Sequence, residues 1–314
     1  MKRSNMLKIS LLFVVLTLIF VACSKDKNEN AQTETQGNQQ ETGKEELAYD
    51  PPSLEDLDED DPMTEMIQYG EKVFNETNTV LAEEVGNELS CQSCHADGGK
   101  DKVSSMVGVT TQFPQYRPRE DAVFTIQDRI NGCMLRSMNG EKIDHESKEM
   151  RAIVAYLSYI SEGIETGEDI PWRMQNTMEE IPEPNVANGE ALYEEKNCMT
   201  CHATDGSGID PNTGPALWGE NSFNDGAGMG RMSKMAGFIQ NNMPPGGEDP
   251  LTDQEAADLA AFILSKERPE WEGHDDDWPK GDKPTDIITK ERKDKIKEGT
   301  FDWTEIEAIV PSEE

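Results

Sequence analysis

Cys91-Gln92-Ser93-Cys94-His95 and Cys198-Met199-Thr200-Cys201-His202 repeat one C-x-x-C-H pattern, 107 residues apart. One such pattern fits a thioredoxin-like redox pair, part of a zinc site, a disulfide or a haem attachment site. Two copies with matching surroundings narrow the choice. Gly70-Glu71-Lys72-Val73-Phe74 precedes the first copy and Gly189-Glu190-Ala191-Leu192-Tyr193 the second. Each reads as a helix with a glycine near its start and an aromatic one turn on. Behind each motif follows an amphipathic run with i, i+3, i+4, i+7 apolar spacing. The first, 147–160, holds Met150, Ile153, Val154, Leu157 and Ile160; the second, 252–264, holds Ala256, Leu259, Ala260 and Ile263. Thr252 with Glu255 fits a capping box, and Ser147 marks the start of the other helix. Aligning Glu149 with Glu255 brings Tyr156 onto Phe262, so the whole unit is duplicated.

The amino terminus sets the compartment. Lys2, Arg3 and Lys8 precede an apolar run, 11–22, too short to span a membrane comfortably. This reads as an export signal. Phe20-Val21-Ala22-Cys23 resembles a bacterial lipobox, which makes Cys23 the lipidated first residue of the mature chain; an uncleaved anchor would export the chain equally. Residues 24–61 carry thirteen acids against three lysines and few apolar side chains before Leu47, the composition of a solvated tether. The whole chain has 29 Lys+Arg against 63 Asp+Glu, a net charge of −34, which excludes nucleic acid as a partner and an anionic membrane surface as a platform. On an exported chain the duplicated motif indicates two covalently bound haem c groups, with Cys91, Cys94, Cys198 and Cys201 bonded to the porphyrin edge and His95 and His202 placed to bind iron.

The second axial position differs between the copies. Met243-Pro244 lies 41 residues after His202, just ahead of the closing helix, where a thioether ligand raises the potential. Met229, Met232 and Met235 are rivals, but the following proline stiffens the loop in favour of Met243. The first copy offers Cys133, 38 residues after His95, with Met138 a competitor on spacing and His145 also within reach. Apart from the four motif cysteines and Cys23, Cys133 is the remaining cysteine of six, and an odd thiol in an exported protein is notable. Its plain alternative is a small buried hydrophobe. Four of ten arginines (Arg117, Arg119, Arg129, Arg136) fall within twenty residues around it. Singly they read as salt-bridge partners of the many acids. Together they suggest an anion pocket, because guanidinium forks match oxyanions.

The string from Gly108 to Arg117, the string Asp128-Arg129-Ile130-Asn131-Gly132-Cys133-Met134-Leu135-Arg136-Ser137, and Ser147 to Tyr156 resemble dihaem thiosulfate dehydrogenases of the tetrathionate-forming type. So do Gly214-Pro215-Ala216-Leu217-Trp218, Ser222 to Met229 and Asp277 to Pro284, over about residues 65–287. The resemblance implies an all-α fold of two tandem cytochrome c domains. It makes Cys133 the axial ligand of the first haem and a candidate nucleophile toward a thiosulfate sulfur. It places Arg119, Arg129 and Ser137 at the substrate, and gives the second haem His202 and Met243. Where some relatives carry Lys before that methionine, this chain has Asn242, so no Lys/Met exchange is expected. The expected division is signal 1–22, tether 23–61, catalytic-haem domain 62–165, linker 166–181, electron-transfer domain 182–269 and tail 270–314. The expected acceptor is a soluble cytochrome c or a membrane oxidase, with membrane contact only through the lipid and residence in the periplasm or on the outer face of the cytoplasmic membrane. The rivals are a dihaem electron carrier without substrate, the same site working mainly as a tetrathionate reductase, and a dihaem peroxidase, for which no string speaks.

Overall fold

Apolar side chains recur every third or fourth residue along four of the helices, and those helices pair off. In the computed structural model, which describes residues 49–174, 176–247 and 250–311, α1 (Thr64–Asn75) crosses α4 (Lys148–Tyr159), and α5 (Val186–Glu195) crosses α8 (Asp253–Leu264). Between α1 and α4 lie the single turn α2 (Thr77–Val80), the hairpin β1 (Gln115–Arg117) and β2 (Ala122–Phe124), and α3 (Ile126–Arg136). A short parallel strand β3 (Ile181–Pro182) leads into α5. The turn α6 (Met199–His202) carries the second haem motif, and α7 (Met232–Asn242) precedes α8. The tail adds α9 (Lys290–Lys297) and β4 (Ile309–Val310), which pairs with β3. The export signal, Cys23 and the acidic stretch as far as residue 48 lie outside the described residues. No described helix is long and apolar enough to cross a membrane.

Both helix crossings are built on glycine. A Cβ on Gly70 would lie 2.0 Å from the Ala152 carbonyl oxygen and 2.7 Å from Tyr156 Cβ. A Cβ on Gly189 would lie 2.0 Å from the Asp258 carbonyl oxygen and 2.8 Å from Phe262 Cβ. The aromatics one turn on close each crossing: Phe74 meets Tyr156 at 5.8 Å between ring centroids, and Tyr193 meets Phe262 at 5.6 Å. The tyrosine hydroxyls then reach past the crossing into the loops behind the haem motifs, Tyr156 to the Gly98 carbonyl at 2.7 Å and Tyr193 to the Ala203 carbonyl at 2.7 Å. The caps read from the sequence are in place: Ser147 caps α4, and Thr252 and Glu255 form the reciprocal box of α8.

Three features depart from a plain pair of helical units. The β1–β2 hairpin puts Tyr116 and Val123 on an exposed face, 49% and 68% accessible, with Arg117 opposite Ala122 on the other face. Residues 49–61, within the acidic stretch, lie on the body: Leu54 and Leu57 pack against the core, and the Tyr49 and Tyr159 hydroxyls donate to the Glu162 and Ser53 carbonyls. The tail is also docked, with Ile306 fully buried and Lys293 and Lys297 both paired with Glu267.

Replacing Gly189 by Val should lower stability by about 1–3 kcal/mol or more, since the new side chain meets backbone. A denaturant midpoint equal to that of the parent protein would show that the crossing is not the tight contact described.

Candidate active site

Each motif histidine is held by its own backbone carbonyl. His95 Nδ1 lies 2.6 Å from Ser104 O, and His202 Nδ1 lies 2.8 Å from Pro215 O. A carbonyl only accepts, so Nδ1 carries the proton and the lone pair sits on Nε2, the tautomer a metal ligand needs. Burial lowers the His202 pKa, the Pro215 bond partly offsetting it, which favours the neutral ring. The paired thiols behave unlike redox thiolates: burial pushes Cys91 up to about 12 and Cys94 up to about 11. Among the described residues no group of three or more His, Cys, Asp or Glu converges as a zinc site would require.

Two largely apolar cavities meet these motifs. The first is lined by Cys91, Cys94 and His95 on one side, by the α3 face Ile126, Arg129, Ile130, Cys133 and Ser137 on another, and by Phe74, Met106 and Met138. The second is lined by Cys198, Cys201, His202, Met235 and Met243. Leu89, Cys94, Phe223 and Met229 border both, so the two sites adjoin. A thiol pair, an imidazole presenting Nε2 and an apolar cavity fit a haem c at each motif.

The α3 face explains why so many chemically distinct side chains meet in the first cavity. Residues 126, 129, 130, 133 and 137 share one side of a 3.6-residue helix. Thr125 caps that helix reciprocally with Asp128, fixing its start. Arg129 and Cys133 are one turn apart, and Arg129 Nη1 donates to Cys133 Sγ at 2.8 Å. The adjacent Cys133 raises the Arg129 pKa, against the opposing effect of burial. Met138 is buried and lines the same cavity, whereas His145 does not line it and lies 3.6 Å from Asp128.

The structure brings together Cys133, Arg129 and Ser137, but not Arg119. The Arg119 guanidinium takes both Asp277 oxygens, Nε to Oδ1 at 2.9 Å and Nη2 to Oδ2 at 2.6 Å, and donates from Nη1 to Gly226 O at 2.8 Å. Its plane lies 4.7 Å from the Trp278 ring, and Trp278 N donates to the Arg119 carbonyl at 2.7 Å. Arg119 is therefore tied to the tail and is not among the residues lining either cavity. Arg136 donates to Glu120 at 3.1 Å. The Arg117 guanidinium makes no hydrogen bond or ion pair with the side chain or backbone of any described residue, although its backbone pairs in the hairpin; burial, then the neighbouring Arg129 charge, lowers its pKa. The clamp on Arg119 was not visible in the sequence, because Asp277 lies 158 residues away.

In the second cavity Met243, Met235 and Met229 all line the wall, while Met232 is fully buried elsewhere. Met243 closes α7. The buried Asn242 before it donates to Asn176 Oδ1 at 2.9 Å and to Phe238 O at 2.9 Å.

The fold and its two histidine–cysteine sites define a two-domain c-type cytochrome. Residues 70–166 match the SoxA/TsdA cytochrome c domain, and residues 186–267 match the cytochrome c family. The chain is 38% identical over 233 residues to the thiosulfate dehydrogenase of Psychrobacter arcticus, covering 73% of this chain and 71% of that protein. It is 37% identical over 219 residues to the thiosulfate dehydrogenase of Allochromatium vinosum, covering 67% and 81%. A solved structure of the thiosulfate dehydrogenase TsdBA of Marichromatium purpuratum superposes with a TM-score of 0.65 at 35% identity, over 70% of this chain and 50% of that one, so this chain spans half the length of that solved chain. The chain belongs to the thiosulfate dehydrogenase family. It carries two covalently bound haem c groups and is exported.

Asp277→Ala leaves the Arg119 charge, 13% exposed, without its partner. A loss of about 3–5 kcal/mol in unfolding free energy is expected, and a loss near zero would mean that the clamp does not hold the hairpin.

Proposed function

We propose that this protein oxidises thiosulfate, joining two thiosulfate dianions through sulfur to one tetrathionate dianion and releasing two electrons. No proton moves, so the site needs no general acid or base; it must bring like charges together. The observation that carries the reading is Arg129 donating to Cys133 Sγ in the cavity that also holds Cys91, Cys94 and His95. A thiosulfate placed with its terminal sulfur toward Cys133 meets Arg129 and the Ser137 hydroxyl with its oxygens. The guanidinium offsets charge and orients the sulfonate end. Arg117, whose guanidinium no described residue claims, adds positive charge beside Arg129, and Arg119 anchors the hairpin that carries Arg117. In a chain of net charge −34 such a local positive site is required for a dianion to enter.

In this reading Cys91 and Cys94 would attach the first haem, and His95 and Cys133 would hold its iron. Cys198 and Cys201 would attach the second, and His202 and Met243 would hold its iron. When bound, the haems supply the acceptors for the two electrons, and the adjoining cavities suit passage from the first site to the second. The first domain, 62–165, is then the catalytic one and the second, 182–269, faces the external acceptor, a soluble cytochrome c or a membrane oxidase. Cys23 supports a lipid anchor that keeps the enzyme at the outer face of the cytoplasmic membrane.

Cys133→Ala, carrying its full complement of haem, should lose thiosulfate turnover with an artificial acceptor by about 100-fold or more, comparable to loss of a key electrostatic group. Full turnover in that variant would favour a dihaem carrier with no role for Cys133. Met138→Leu should keep its activity.

A further inference from the structure

Asn176, between the two domains, has hydrogen bonds to both haem sites. Its Oδ1 accepts from Asn242 Nδ2 at 2.9 Å, and its Nδ2 donates to Ser104 Oγ at 2.7 Å. Asn242 immediately precedes Met243. Ser104 is the residue whose carbonyl lies 2.6 Å from His95 Nδ1. A short run of hydrogen bonds thus connects the methionine loop of the second site with the histidine of the first.

The two residues that follow Asn176 are held firmly enough to carry this link. They lie across α7 at Gly237, where an added Cβ would come within 2.7 Å of Met178 N and 2.8 Å of Thr177 backbone. Met178 N donates to Ser233 O at 3.0 Å, and Lys234 Nζ donates to the Thr177 hydroxyl. At the other end, Ser104 has φ of +51°, a conformation that a residue with a side chain rarely adopts without support. Asn176 grips the Ser104 hydroxyl and so fixes the peptide that aims its carbonyl at His95.

We propose that Asn176 is a positioning residue shared by the two haem sites, setting the hydrogen bond that orients and polarises His95 while bracing the residue beside Met243. The inference rests on His95 and Met243 being iron ligands, as in the function proposed above, but not on thiosulfate as substrate. An Nδ1–H···O bond raises the basicity of a metal-bound imidazole. Weakening it makes His95 a poorer donor and favours the reduced iron.

The test is a spectroelectrochemical titration, without substrate, of the haem-loaded full-length protein and of Asn176→Ala and Ser104→Ala. Asn176→Ala should raise the potential of the first haem and also move that of the second, with two haems per chain retained. Ser104→Ala, which removes only the hydroxyl, should reproduce the rise at the first haem and leave the second unmoved. Unchanged first-haem potentials in both variants would overturn the inference; if Asn176→Ala does not fold, Ser104→Ala alone decides it. A parent protein that titrates with normal His-ligated haems but does not oxidise thiosulfate would defeat the proposed reaction and leave this inference to stand or fall on the potentials.

Discussion

The contact on which everything else depends is the near approach of two helices at a glycine, made once in each half. At Gly70 and Gly189 the facing backbone leaves no room for a β-carbon. That closeness lets Phe74 and Tyr193 stack on Tyr156 and Phe262, and lets the tyrosine hydroxyls of the two halves fix the loops behind the motifs. Each crossing therefore makes a frame in which a C-x-x-C-H turn faces an apolar cavity, and a backbone carbonyl turns the histidine to present Nε2.

On this common frame the two halves diverge through what shares the cavity with the histidine. The first half inserts α3, whose cavity face carries a thiol and a guanidinium one turn apart. The second offers methionines from α7 and its ends. A thiolate and a thioether pull iron potentials in opposite directions, so under the function proposed above the halves have different tasks: chemistry at the first, electron exit at the second. The arginines follow the same logic. One is bonded to Cys133, one to Glu120 and one to Asp277, and these commitments hold the positive cluster together inside a strongly acidic chain.

Much of this was legible in the sequence because the information was local. The motifs, the glycine–aromatic pairs, the helix caps and the apolar periods of α4 and α8 each lie within a few turns, and each reappears in the fold, except that α1 begins at Thr64 and so places Gly70 in its middle and not near its start. Arg129 and Cys133 are grouped in the sequence only through the local arginine cluster and the resemblance; that they stand one turn apart on one face emerges with α3, a helix not expected from the sequence. The rest depends on partners far along the chain. Strands of two or three residues such as β3 and β4 have no pattern of their own until they meet. The order of residues 49–61 comes from docking Leu54 and Leu57, against a composition that suggests a free tether. The resemblance places Arg119 at the substrate, and only the tail shows that its guanidinium donates to Asp277 and Gly226. The backbone carbonyls of Ser104 and Pro215 carry no sequence signal at all, since any residue has one.

Under the function proposed above, Cys133 would hold the iron of the first haem, where it can meet thiosulfate. Low-temperature electron paramagnetic resonance of the oxidised full-length protein tests this most directly. One low-spin haem per chain with the narrow g-spread of thiolate ligation is expected, abolished in Cys133→Ala while the second haem is unaltered. Two haems without any thiolate signature, or a signature that survives removal of Cys133, would contradict it.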